Sequence, residues 1–474
     1  MSRRVDLAVV GGGISGLAAA WEGMRCGADV AVIEAGARPG GKLGTSSIAG
    51  LDLDEGADAF LARVPEAVDL CDELGLGGDL VSPATGTAYV WIDGALRQLP
   101  SDQLLGVPTD LDAVAAAGIL SPAGIERARA DLTLPDDRPA GDESVGGLVR
   151  RRLGDEVLDR MVAPLLGGIW AGDCDDLSLR VAAANLAVAR DRDASLLRGA
   201  AAVRAEAMDA AAAAADRPVF LAPQGGMTRL VDALAERLGD RLRFGAPVTA
   251  IEPEGASWRL TIGESGDGPH TAPTADRVVV ATPAFVTAPL LADLADLGDL
   301  PPEAAAFVGS VDYASVVIVT LAVPTDGIDR PLDGSGFLVP PSSGRLLTAC
   351  SWVTSKWAHL AVDEDVAILR ASAGRAGDER ALALPDDQLV GALLSDLRDT
   401  MGVRAAPTDV RVSRWTRSFP QPRPGHLEAL AAAEATLNRR SGRLVVTGAW
   451  TLGVGIPACI RGARAAAARV LTAT

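Results

Sequence analysis

The sequence predicts a mixed α/β and α+β chain in which separate segments build one nucleotide-binding unit around a helical insertion. Three observations carry that expectation. An apolar strand runs straight into Gly11-Gly12-Gly13-Ile14-Ser15-Gly16, and the acid Glu34 follows 18 residues after Gly16. From about 95 to 215 the chain turns into alanine- and leucine-rich segments of helical length. Strand-like segments then return, and the chain closes on a second glycine-rich turn between Gly448 and Pro457.

Residues 5–10 read as a buried parallel strand. Gly11 permits the tight turn after it, Gly13 lets backbone approach a pyrophosphate, and Gly16 lets the next helix pack close to the strand. That helix, about 14–26, aims its dipole and free N–H groups at the phosphates. A second strand, 29–33, ends at Glu34, whose carboxylate can accept both hydroxyl protons of an adenosine ribose. A glycine triplet alone is common. Between a strand and a helix, with an acid at the next strand end, it specifies a Rossmann-like dinucleotide site rather than a mere turn.

The next residues choose the dinucleotide. Glu34-Ala35-Gly36-Ala37-Arg38-Pro39-Gly40-Gly41-Lys42 holds a second glycine pair flanked by Arg38 and Lys42. A nicotinamide dehydrogenase has no need of it. A flavin enzyme uses such a loop to lay backbone and a cation along the diphosphate, which points to FAD.

Further along, 51–54 alternates as a strand, and 65–74 reads as a helix stopped at Gly75. Helices are expected at 111–117, 123–130, 145–153, 156–166, 177–189 and 200–215, the last an alanine-rich surface helix. Gln224-Gly225-Gly226-Met227 opens a helix over 228–238. Strands are expected at 247–251, 258–262 and 277–281, the last stopped by Pro283, then at 315–323, 336–339 and 346–352. A helix over 387–401, a strand at 443–447 and a helix at 459–471 complete the chain. The N-terminus of that last helix would face a ligand. No internal repeat is evident.

Composition narrows the function. A length of 474 residues suggests about three domains, and 48% hydrophobic content supplies large cores. With 44 basic against 62 acidic residues the net charge is −18, which argues against nucleic acid or an anionic membrane as partner. An anionic substrate would need a local basic pocket, compatible with an acidic exterior because screening acts over about 8 Å. Cys26, Cys71, Cys174, Cys350 and Cys459 are odd in number and scattered, so neither a disulfide framework nor a zinc site is expected. His270, His359 and His426 are too dispersed for a metal centre, and no metal is expected. Arg3-Arg4 precede only a short apolar strand, not an export segment. The uncharged run 444–460 is broken by glycines and a proline and does not read as a membrane span. A cytoplasmic protein with at most peripheral membrane contact is expected.

The motifs carry a resemblance. Besides both glycine loops, they include Gly56-Ala57-Asp58-Ala59-Phe60-Leu61-Ala62-Arg63, Gly167-Gly168-Ile169-Trp170-Ala171-Gly172-Asp173, and Pro223 to Met227. Tyr313-Ala314-Ser315-Val316, Ser335 to Pro340, Ser355-Lys356-Trp357, Gly425-His426 and Gly453 to Ile460 extend it to the C-terminus. The chain resembles, end to end, the bacterial coproporphyrinogen III and protoporphyrinogen oxidases of the FAD-dependent, amine-oxidase-like superfamily. It departs from their pattern at Pro422, where a tyrosine is usual, and at Ala458, where an aspartate is usual.

The resemblance implies a p-hydroxybenzoate-hydroxylase-like architecture. An FAD-binding domain would come from 1–80, 216–282 and 410–474, a substrate-binding domain from 81–94 and 283–409, and a helical domain from 95–215. It implies non-covalent FAD contacted by Gly11, Gly12, Gly13, Ile14, Ser15, Gly16, Glu34, Ala35, Arg38, Gly41, Lys42, Gly56, Ala57, Asp58, Ala59 and Val248. Trp415, Gly448, Val454, Gly455 and Ile456 would complete the set. It also implies a reaction of haem biosynthesis, the six-electron oxidation of a porphyrinogen, with three dioxygen reduced to three hydrogen peroxide.

The flavin would carry this chemistry, so no catalytic base is assigned. His426 reads as a structural loop histidine. Lys356 is either a packed cation or a contact to a substrate carboxylate, and Arg63 either a substrate or a flavin-side cation. Coproporphyrinogen III, with four propionates, suits a protein without a membrane anchor, and near-absence of lysine points to a GC-rich source where that route is expected. Protoporphyrinogen IX is the alternative. A flavin amine oxidase usually carries a lysine on the strand at 313–319, and some members attach flavin through a cysteine; this strand has no lysine, and 413–426 has no cysteine. A carotenoid desaturase would want a longer apolar tunnel and membrane contact, and a non-catalytic flavin-binding scaffold is the non-enzyme class. Transient contact with a downstream haem-pathway enzyme is a further possible partnership.

Overall fold

The structure is a computed structural model that describes residues 4–213, 218–263, 273–296, 302–440 and 443–472. Its first sheet centres on the strand Arg4–Val10, which runs parallel to Val30–Ile33 on one side and Thr274–Val280 on the other. Leu242–Arg243 extends the sheet beyond Val30–Ile33, and Leu444–Val446 lies parallel to the end of Thr274–Val280. The antiparallel pair Val248–Glu254 and Ser257–Ile262 covers the other half of that strand.

Val30–Ile33 is buried at every position, as a parallel strand covered on both faces must be. Leu7, Val9 and Val32 pack under the helices Ile14–Arg25, Thr228–Leu238 and Ile456–Thr472. Ala8, Val10 and Ile33 face the opposite way, against Ala284–Asp296, Pro302–Gly309 and His426–Arg440. The result is a three-layer sandwich. These last three helices were not anticipated from the sequence.

The second sheet is also seven-stranded. Its order is Asp409–Gln421, Asp312–Pro324, Val366–Ala373, Leu347–Trp352, Gly336–Leu338, Tyr89–Ile92 and Ala95–Gln98. Every pairing is antiparallel except that of Gly336–Leu338 with Tyr89–Ile92. Leu389, Leu393 and Leu397 of the helix Asp386–Met401 cover one face. Residues 409–421 therefore pair in the second sheet.

In the insertion, the helix expected at 156–166 continues further. A π-helical turn at Leu158–Val162 leads into Ala163–Trp170, absorbing the Gly167-Gly168-Ile169 motif and stopping where Ala171 takes a left-handed φ of 49°. The segment expected at 177–189 is two helices, Leu179–Ala182 and Ala184–Arg192, broken at Ala183, with Ser178 capping the first through its hydroxyl. The alanine-rich helix starts earlier, at Leu196, because Leu196, Leu197 and Ala200 join the insertion's core. Its expected end at 214–215 lies outside the described residues.

Candidate active site

Close approach governs the first glycine loop. A Cβ on Gly16 would fall 1.8 Å from the Gly11 carbonyl oxygen, so this glycine sets the contact between helix and strand. Gly11 has φ +102°. Gly13 differs: the nearest atom to a Cβ there would be Gly41 Cα at 4.0 Å. Ile14 opens the helix and Ser15 is buried in its first turn.

The loop is braced by its own acid. Glu34 Oε2 accepts from the Gly12 amide at 2.5 Å and Oε1 from the Gly36 amide at 2.6 Å. The backbone of Gly245 and Ala246 donates to Gly36 and Glu34 at 2.9 Å each, which brings Val248 toward the exposed Ala35.

The second glycine pair closes over the first. The Gly40 amide donates to the Gly12 carbonyl at 2.8 Å. Arg38 does not reach outward; its guanidinium donates to the carbonyls of Pro39 and Leu43 at 3.1 and 2.9 Å, holding the loop in shape. Lys42 is exposed overall, but its ammonium turns inward to the Ser418 carbonyl and lies 5.8 Å from the Tyr313 ring. Protein around that end disfavours the charge and brings its pKa down to about 8, with Cys459 opposing the shift.

Cys459 lies in the first turn of Ile456–Thr472, beside Ser15, and burial pushes its thiol pKa up. Two helix N-termini thus meet near Lys42, an arrangement suited to an anion. Gly448, with φ 144°, lets Trp450 fold back to donate to the Thr282 carbonyl at 3.1 Å. Val454 packs against the core of the insertion, Gly455 is exposed, and Ile456 is buried.

A third loop, Gly56-Ala57-Asp58-Ala59, is held from the second sheet. Asp58 Oδ2 accepts from Lys356 Nζ at 2.9 Å and lies 3.4 Å from Arg370 Nη1. Trp357 Nε1 also donates to it at 3.4 Å. Burial works against the Asp58 charge, but Lys356 and Arg370 outweigh it and hold the pKa at about 2. Arg370 also donates to the Gly56 carbonyl at 2.5 Å. Trp415 donates to the Glu55 carbonyl at 2.9 Å, and a Cβ on Gly56 would meet its ring at 3.4 Å. The sequence has two lysines among 44 basic side chains, and both, Lys42 and Lys356, belong to this site.

Arg370 and Arg411 were missed. Arg411 donates to the carbonyls of Ser46, Leu53 and Asp54 at 2.7, 3.0 and 3.0 Å, clamping the hairpin that leads into the Gly56 loop. The available signal was an arginine inside an apolar strand, Val366-Ala367-Ile368-Leu369-Arg370. Arg63 is exposed and makes no hydrogen bond or ion pair among the described residues. His426 is buried, with Nε2 2.8 Å from the Trp450 carbonyl oxygen, and burial lowers its pKa. No group of three or more His, Cys, Asp or Glu among the described residues is placed to hold a metal; His270 lies outside them.

Residues 14–471 match the family of flavin containing amine oxidoreductases. The chain belongs to that family. Coproporphyrinogen III oxidase of Bacillus subtilis (strain 168) is 32% identical, covering 98% of this chain and 97% of the relative. The enzyme of the same name from Mycobacterium tuberculosis (strain ATCC 25618 / H37Rv) is 36% identical with the same coverages. A crystal structure from Exiguobacterium sp. 255-15, provisionally assigned as a protoporphyrinogen oxidase, superposes with TM-score 0.83 at 29% identity, covering 99% of each chain.

This amine oxidoreductase is a flavin enzyme, and its residues fit the group. Gly13 leaves backbone open where a side chain would intrude, Gly41 lies so close that a Cβ on it would meet Gly13 Cα at 3.1 Å, and the Lys42 ammonium has a carbonyl but no carboxylate as partner among the described residues.

Proposed function

We propose that this flavin amine oxidoreductase is an FAD-dependent oxidase that converts coproporphyrinogen III to coproporphyrin III. Six electrons leave the substrate, and three dioxygen molecules are reduced to three hydrogen peroxide. The observation that carries this reading is the near-full-length likeness to coproporphyrinogen III oxidases. Bound FAD supplies the electron-acceptor chemistry.

The residues around it bind and orient. Glu34, fixed by two amides, keeps lone pairs for ribose hydroxyls. Gly11, Gly12, Gly13, Ile14, Ser15 and Gly16 present helix N–H groups to the diphosphate, and Gly41 and Lys42 meet it from the other side. Ala35 and Val248 border the adenosine end, and Arg38 keeps the second glycine loop in shape. Gly56, Ala57, Asp58, Ala59 and Trp415 border the ring end with Gly448, Val454, Gly455 and Ile456. Attachment is non-covalent: 413–426 has no cysteine, and Cys459 is buried with its thiol pKa raised. No side chain serves as catalytic base in this reading. Of the two cations expected to meet a substrate carboxylate, Lys356 is committed to Asp58 and Arg63 stays a candidate.

The cofactor part would comprise 1–80, 216–282 and 410–474, the substrate part 81–94 and 283–409, and the helical part 95–215. Asp409–Gln421 is shared: its ladder belongs to the second sheet, while Trp415 and Ser418 reach the glycine loops. No helix among the described residues is long and apolar enough to cross a membrane. A cytoplasmic enzyme that hands its product to a downstream haem-pathway enzyme by transient contact fits this reading.

Protoporphyrinogen IX as substrate is the second reading, favoured by the likeness to the Exiguobacterium structure. Aerobic turnover of coproporphyrinogen III with peroxide measured alongside porphyrin tests the main reading. Three peroxides per porphyrin are expected; porphyrin without peroxide would contradict dioxygen as acceptor.

A further inference from the structure

One cation at the edge of this site has no acidic partner among the described residues. The strand Asp409–Gln421 loses register with Asp312–Pro324 between Ala314 and Val316. Opposite that bulge, Arg417 takes φ 47°, a left-handed backbone that is unfavourable for a non-glycine residue. Its amide leaves the ladder and donates to the Ser315 hydroxyl at 2.9 Å.

The side chain is thereby turned off the strand, and its guanidinium carbon sits 3.7 Å from the centroid of the Phe285 ring. A guanidinium over an aromatic face keeps its N–H donors free at the edge, preset to grip a carboxylate with two hydrogen bonds. Arg417 is exposed. In a chain with 62 acidic residues, none among the described residues reaches it with a hydrogen bond or ion pair.

Its neighbours define where it stands. Trp415, two residues before, covers Gly56. Ser418, one residue after, accepts the Lys42 ammonium. Phe285 meets Tyr313 edge-on at 5.0 Å, and Tyr313 in turn meets Lys42. Arg417 is therefore contiguous with the candidate cofactor loops, on an apolar and aromatic rim.

We propose that Arg417, backed by Phe285, is a carboxylate-binding residue that anchors one peripheral propionate of the substrate. This rests on the porphyrinogen reading above. A bulge that strains an arginine and aims it at no acid among the described residues is the kind of backbone outlier from which function is inferred.

The test compares wild type, Arg417→Gln and Arg417→Lys in flavin-loaded form. Steady-state KM and kcat are measured for coproporphyrinogen III and for its uncharged tetramethyl ester. Arg417→Gln is expected to raise KM for the tetra-acid about tenfold or more, leave kcat within about threefold, and leave KM for the ester unchanged. Arg417→Lys is expected to fall between. An unchanged KM for the acid overturns the assignment, as does an equal rise for the ester, which would signal packing alone. Loss of flavin absorbance from Arg417→Gln also overturns it, by placing the anion on the cofactor. If the wild type oxidises neither form, the porphyrinogen reading itself fails and the assignment falls with it.

Discussion

Lys356 and Asp58 stand 298 positions apart in the sequence and meet at 2.9 Å. Their contact joins the short helix Val353–Lys356, which links two strands of the second sheet, to the loop after the hairpin Thr45–Ile48 and Leu51–Asp54, beside the place where Ala322 and Ile368 of the second sheet pack into the core of the first. Arg370 completes it from the neighbouring strand.

Lys356→Met should destabilise the protein by about 2 kcal/mol near neutral pH. Asp58 has a folded pKa of about 2, below its ordinary 3.8. Its stabilising contribution is full above about pH 4 and is lost as the pH falls toward 2. The gap between wild type and variant should therefore narrow between pH 5 and pH 2.5 in urea titrations. A gap that stays constant over that range would show that the pair does not stabilise the fold through charge.

Lys42 should make flavin binding pH-dependent. Its ammonium titrates at about 8 in the free protein, and a bound diphosphate would raise that value. Affinity should fall above pH 8 by up to about tenfold per pH unit. Lys42→Arg should flatten this dependence and Lys42→Met should weaken binding at every pH. Flavin fluorescence titrations from pH 7 to 9.5 measure all three.

Gly16 and Gly13 should respond oppositely to one methyl group. Gly16→Ala drives a Cβ to 1.8 Å from the Gly11 carbonyl, so little folded protein is expected. Gly13→Ala meets nothing nearer than 4.0 Å and has an ordinary φ of −71°. It should fold with Tm within a few degrees of wild type yet bind flavin at least about tenfold more weakly, as seen by thermal melts and the flavin-to-protein absorbance ratio.

His426→Ala should lower stability by about 1–3 kcal/mol and leave kcat within about threefold. The ring is buried against the Trp450 carbonyl and its pKa is lowered, so it folds neutral. Its neutral form favours the fold above the ordinary histidine pKa, and that preference fades as the pH falls below it. A variant with intact melting temperature and no turnover would make His426 catalytic instead.

The cofactor end was legible because each residue there has a local reason: Gly16 for close packing, Gly11 for a positive φ, Glu34 at a strand end. The helices at 284–296 and 426–440 were not. Pro289 interrupts the first, and both owe their burial to the far face of the first sheet rather than to a sharp local period. Arg370 and Arg417 were hidden for another reason. An arginine in a strand flags a position but names no partner; only the fold sets the Asp58 loop beside Arg370 and no acid among the described residues beside Arg417.

The most direct test is porphyrin fluorescence formed aerobically by the purified flavoprotein from coproporphyrinogen III and protoporphyrinogen IX side by side. Faster oxidation of the tetracarboxylate is predicted. Preference for protoporphyrinogen IX would contradict the substrate assignment, and no porphyrin from either, with flavin bound, would contradict the porphyrinogen reading altogether.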